Sequence, residues 1–141
     1  MPLTSQVRLN DILQEFDAQS KLAPSGAVSL TLTSGGAPWT PGAKVEFIAA
    51  GSVALVFHMR SATLSEPTVN AEYEVIVYKG LAGAEVEIAR IDFVRTNVQN
   101  RSSFVTFSSE QVPAGTRISC AIQDSVGGSS LNVKLGYHTH P

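Results

Sequence analysis

The sequence predicts an all-β protein: a jelly-roll-like antiparallel β-sandwich of about eight strands, preceded by a short helical or extended N-terminal arm. Three observations carry this. Apolar and polar residues alternate through most of the chain after residue 26, at the period of strands with one buried face. Turn formers fall between these runs at near-regular spacing: Ser34-Gly35-Gly36, Pro41-Gly42, Pro67, Gly80, Gly83 and Asn97 to Asn100. The chain of 141 residues is 43% hydrophobic and 16% charged, which suits one folded domain able to bury a core without staples.

Residues 1–24 read as the arm and residues 25–141 as the sandwich. In the arm, Asn10 or Asp11 can cap a short helix by accepting a hydrogen bond from an otherwise orphan backbone amide. Leu9, Ile12, Leu13 and Phe16 recur at helical spacing, and Glu15 lies in the early turns, where the helix dipole tolerates it. So short a segment must dock its apolar stripe, on its own domain or on a neighbouring subunit. Ala23-Pro24-Ser25-Gly26 ends it.

Strands are expected near 27–33, 43–50, 53–60, 71–79, 85–91, 103–108, 115–123 and 130–138. Val53, Leu55, Phe57 and Met59 share one face; Tyr73, Val75 and Val77 share another. The clearest stretch is Val112 to Gln123. Pro113 cannot donate a ladder hydrogen bond and belongs before the strand, and Gly115 supplies the backbone angle that closes the turn. Ile118, Cys120 and Ile122 then point inward, with Arg117, Ser119, Ala121 and Gln123 outward. After Asp124 to Gly128, Leu131, Val133, Leu135 and Tyr137 alternate with Asn132, Lys134, Gly136 and His138. These two runs are expected to pair as a closing hairpin.

Several function classes drop out. A net charge of -2 with scattered Lys and Arg gives no basic stripe for nucleic acid. No stretch approaches the roughly 18 apolar residues of a membrane span. The lone Cys120 makes no internal disulfide, and no signal-peptide pattern opens the chain, so the expected compartment is cytosol or one reached without secretion. No nucleophile elbow, phosphate loop, dinucleotide glycine pattern or zinc-protease motif occurs, so neither an enzyme nor a cofactor is expected. Cys120, on the apolar face of its strand, reads as a small hydrophobe.

Four features merit a structural check. Glu72 with Glu74, and Glu85 with Glu87, each share a strand face; together they suit a calcium patch or a glycosidase acid/base pair, or more simply a solvated face above Tyr73, Val75 and Val86. His138 and His140 lie on one side of an extended segment. One chain offers two ligands, too few for zinc, although three copies on a threefold axis would offer six nitrogens; a polar tail is the plainer reading, and no metal is expected. Trp39, in the turn Gly36 to Gly42, either plugs one end of the core or stands out as a platform for a sugar or a partner. Asn100-Arg101-Ser102 fits a glycosylation sequon but reads as a loop tip.

Two parts of the chain resemble the structural proteins of tailed-bacteriophage virions. Leu9-Asn10-Asp11-Ile12 is similar to the Ser-Leu-Asn-Asp-Ile-type openings of such proteins. Trp39 to Tyr137 resembles a β-sandwich domain of phage tail, fibre and other virion proteins. The shared pattern is a Trp-Thr-Pro-Gly turn at 39–42, the strand Ala71-Glu72-Tyr73-Glu74-Val75, the loop Gly80 to Glu85 and the Pro113-Ala114-Gly115-Thr116-Arg117-Ile118 strand. The resemblance implies a non-enzymatic virion subunit, assembled in host cytoplasm and commonly a homotrimer, whose partners are other virion proteins such as the major capsid or tail protein. A capsid decoration protein attached through the arm comes first, then a tail, baseplate or fibre component. A carbohydrate- or receptor-binding module using Trp39 and the loops around Asn97 and Asn100 is the expectation from another class.

Overall fold

The computed structural model of the chain describes residues 20–26, 28–95 and 102–140. The arm residues Leu9, Ile12, Leu13 and Phe16, and the loop residues Asn97 and Asn100, lie outside these described residues. Within them the chain is all-β, with nine strands: β1 (Ser20–Ala23), β2 (Leu30–Thr33), β3 (Val45–Ile48), β4 (Phe57–Ser65), β5 (Ala71–Lys79), β6 (Val86–Arg95), β7 (Ser102–Thr106), β8 (Ile118–Asp124) and β9 (Ser130–Thr139).

The strands divide between two antiparallel sheets. One runs β2-β9-β4-β7, with β1 lying beside β2 along the same edge of β9; the other runs β3-β8-β5-β6. Strands β2 to β9 thus follow the two-sheet order of an eight-stranded jelly roll, the architecture that the alternation and turn spacing predict. The two inner faces meet in one core. Leu32, Phe57, Met59, Leu64, Leu131, Val133 and Leu135 from the first sheet face Tyr73, Val75, Val77, Ile118, Cys120 and Ile122 from the second. Tyr73 enters this core and still satisfies its hydroxyl, which donates to the Val69 carbonyl at 2.8 Å.

The expected closing hairpin is not formed. β8 pairs with β3 and β5, while β9 pairs with β1, β2 and β4 in the opposite sheet. The connection is an arch between sheets. Asp124 Oδ1 accepts from the Val126 amide at 2.9 Å and from the Gly127 amide, and Gly127 and Gly128 both take positive φ. A Cβ on Gly127 would lie 2.6 Å from the backbone of Ala37, so the arch packs against the preceding loop as well as reversing the chain. Burial holds the Asp124 carboxyl up, but hydrogen bonds from Ser34 and from the Gly127 and Val126 amides outweigh it and leave it below the usual carboxylate range.

Two further differences concern faces. β4 starts at Phe57 and runs on to Ser65, so Leu55, expected to share the inward face of Phe57, lies before the strand and is exposed. β8 is buried on both faces, since Ser119 and Ala121 are as inaccessible as Ile118, Cys120 and Ile122.

Phe57 is fully buried and packs edge-on against Tyr137 across the β4–β9 ladder. Phe57→Ala is therefore expected to destabilise the fold by about 3–5 kcal/mol in urea titration, while exposed Leu81→Ala stays within about 0.5 kcal/mol.

Candidate functional site

The two outer faces differ in charge, and this follows from the strand sequences. β3, β5, β6 and β8 carry Glu46, Glu72, Glu74, Glu87, Asp92 and Asp124, whereas β1, β2, β4, β7 and β9 carry no Asp or Glu at all. The latter five strands hold Lys21, His58, Arg60, Lys134 and His138.

On the acidic sheet Lys44, Arg90 and Arg117 are each engaged in salt bridges. Arg90 grips Glu87 through two nitrogens at 2.7 and 2.9 Å and also reaches Glu74, whose Oε1 accepts from Gln123 at 2.7 Å. Arg117 Nε meets Glu46 at 2.7 Å, Lys44 Nζ meets Glu85 at 3.4 Å, and the same ammonium lies 4.6 Å over the Tyr78 ring. The Arg90 hydrogen bonds hold the Glu87 carboxyl below its ordinary range; backbone amides, its own first and then that of Gly83, do the same for Glu85. Glu74 and Glu87 do share a face, but Arg90 lies between them. Arg90 thus fills the space between the two carboxylates, which suits an ion-paired surface. Val86, expected beneath them, is exposed near the start of the edge strand β6.

The carboxylate-free sheet is open. Its outer face holds a groove of about 450 Å³ lined by the exposed Leu22 and Phe104, by Lys21 and Arg60, and by parts of Phe107 and Tyr137 that also pack against the core. Gly136 forms the floor, and a Cβ there would collide with the Ser61 hydroxyl. Register brings these residues together: Gly136 pairs with Leu22 on one side and Ser61 on the other, and Ser61 pairs with Thr106. Phe104, on edge strand β7, is 66% exposed and Leu22 is 48% exposed. The sequence offered no sign of this groove, because Leu22 was assigned to the arm and Phe104 to an unremarkable strand.

One end of the groove carries the chain's three histidines. His138 lies directly across from His58 in the β4–β9 ladder, and the His140 amide donates to the Val56 carbonyl at 2.8 Å. The rings of His58 and His140 have centroids 4.6 Å apart, and His138 lies 5.0 Å from His140. The expected frayed tail is instead tied down. A guanidinium only donates, so Arg60 at 3.2 Å makes His58 Nε2 an acceptor. The neutral His58 proton then sits on Nδ1 and is donated to His140 Nε2 at 3.0 Å. His58 and His140 are thus joined by a shared proton, with the His138 ring packed against both. No group of three or more metal-ligating side chains with metal-site geometry occurs among the described residues.

Cys120 is fully buried, and burial pushes its thiol far up, as expected of a structural cysteine. Trp39 is 47% exposed rather than folded over the core; its φ of 55° is held by its amide, which donates to the Asp124 carbonyl at 2.7 Å.

Neither a protein-family profile nor a curated protein sequence matches this chain. Among solved structures, a mitogen from Yersinia pseudotuberculosis is similar at 19% identity and a TM-score of 0.45, over 85% of this chain and 86% of its own. A carbohydrate-binding module of Cellvibrio mixtus lichenase 5A, solved with cellotriose, aligns at 17% identity and a TM-score of 0.41, over 86% and 97% of the two chains. A protein of infectious bursal disease virus strain Gt aligns at 13% identity and a TM-score of 0.47, over 86% of this chain and 33% of the viral one. These likenesses assign neither ligand nor partner to this chain.

Burial, then the nearby His140, Arg60 and His138, lower the His58 pKa below 6.5. The unfolded chain therefore takes up the proton first as pH falls, so this group's contribution to stability is complete above pH 6.5 and is lost as pH drops toward the folded pKa. Denaturation curves should show stability falling between about pH 7 and pH 5 in the native chain, with a shallower fall in His58→Gln. Equal slopes for the two would remove His58 as the cause.

Proposed function

We propose that this chain is a non-enzymatic structural subunit of a tailed-phage virion, in the first place a capsid decoration protein. Leu9, Ile12, Leu13 and Phe16 of the N-terminal segment would hold it to a neighbouring capsid protein. The observation that supports this reading is where that segment joins the sandwich. Ser20 to Ala23 form β1, in register with His138 to Leu135 of β9, and β9 in turn pairs along most of β4. A pull on the segment is thereby carried into the central ladder of a sheet rather than into a loose linker, which is what an attachment arm requires. A homotrimer assembled in host cytoplasm and carried on the virion is the form that the sequence resemblance implies; a tail, baseplate or fibre position would use the same parts.

Ile12→Asp combined with Phe16→Asp is expected to abolish co-sedimentation with the parent particle while thermal unfolding of the sandwich stays unchanged. Normal particle binding by this folded double variant would end the attachment reading.

A second reading, a carbohydrate-binding module, is favoured by the exposed ring of Trp39, whose backbone is fixed by the Asp124 carbonyl. Binding on a glycan array that disappears in Trp39→Ala would bring it forward; an array with no signal for the native chain would retire it.

A further inference from the structure

The open groove and the N-terminal segment are complementary, and we infer that in the free chain residues 9–19 dock across the groove of their own sandwich. The groove offers Leu22 and Phe104 as exposed apolar surface, 48% and 66% exposed, with the edges of Phe107 and Tyr137, which also pack against the core, between them. Its sheet supplies Lys21, Arg60 and Lys134 and no carboxylate. Residues 9–19 have the opposite make-up. Leu9, Ile12, Leu13 and Phe16 alternate with Asp11, Glu15 and Asp17, and no Lys or Arg interrupts them. An acidic apolar segment therefore meets a cationic apolar groove, a match that sets register as well as attraction. The same complementarity is absent from the other sheet, whose outer face is acidic and already ion-paired.

Position supports the same occupant. The segment leaves from Ser20, opposite His138, and the next residues, Lys21 and Leu22, already line the groove. Phe104 lies three strand spacings from β1, about 14 Å, and also about 17 Å along the strands, since it is level with Thr63 whereas Ser20 is level with His58. The direct path is therefore about 22 Å. Seven extended residues, the separation of Leu13 from Ser20, span up to about 24 Å, so Leu13, Ile12 and Leu9 all reach Phe104. A tether this short presents the segment at an effective concentration in the millimolar range, which favours its own groove over that of another copy. The docking stands whatever the chain assembles with. Where the same stripe also grips a virion protein, docking and attachment compete for it.

The test is paramagnetic broadening in the full-length chain carrying a spin label at Gln14→Cys. Cys120 is fully buried, so only the introduced thiol is labelled. The expected result is loss of amide signal at Leu22, Gly136 and Phe104 when label and ¹⁵N are on the same chain. A mixture of labelled unenriched chain with unlabelled ¹⁵N chain should show no such loss. Adding Ile12→Asp and Phe16→Asp should restore the signals. Unchanged intensities at all three amides overturn the inference. Loss in the mixed sample also overturns it, by placing the segment of a second copy in the groove.

Discussion

Strand β8 is the constraint on which the rest of this fold depends, because it is buried on both faces. Its inner side chains, Ile118, Cys120 and Ile122, complete the core between the sheets; its outer ones, Ser119 and Ala121, are equally inaccessible. Beside them on that outer side lies Ile76, the ladder partner of Ala121 and also buried. Among the described residues, the long side chains of the same sheet, Arg117, Gln123, Glu74 and Arg90, are cross-linked there by hydrogen bonds and ion pairs. Single surface ion pairs contribute little to stability, typically under about 1 kcal/mol. Their value here is geometric, since the paired heads hold methylene stems flat over the sheet and exclude water from beneath. The consequence is a face whose charges are ion-paired, while the groove described above lies on the other sheet.

That second sheet is open for a reason written in its composition. Its five strands lack carboxylates, so Lys21, Arg60 and Lys134 have no acidic partners within them and no ionic cover forms. Gly136 keeps the floor low, and the edge strands raise Leu22 and Phe104 on either side. The jelly-roll winding thus produces a molecule with one sealed face and one receptive face. The histidine cluster at the receptive end ties the chain's last strand to β4, with Arg60 fixing the tautomer of neutral His58.

Local pattern made much of this legible in the sequence. The 71–79 strand appears with its expected limits, and Tyr73, Val75 and Val77 face inward as their spacing requires. Cys120 is a core residue, whereas Glu85 lies before β6 with its side chain only 7% exposed, so it does not pair with Glu87 on a strand face. What stayed hidden was non-local. An arch between sheets and a tight hairpin share the same turn formers, and at Asp124 to Gly128 only the identity of the pairing strands separates them. β1 is four residues long and owes its existence to the β9 edge, so no periodicity announces it. His58 stands 80 residues from His138, and only the β4–β9 register brings them together. The groove has the same origin: it is a property of four strands in register, and none of them shows it alone.

The division of the molecule into a sealed face and a receptive one is tested most directly by backbone amide spectra of the full chain and of its Ile12→Asp, Phe16→Asp variant. The structure predicts that shift changes beyond the segment itself fall on β1, the second half of β9, β4 around Ser61 and β7, while β5, β6 and β8 stay unmoved. Changes centred on β5 and β6, or none on either sheet, would contradict it.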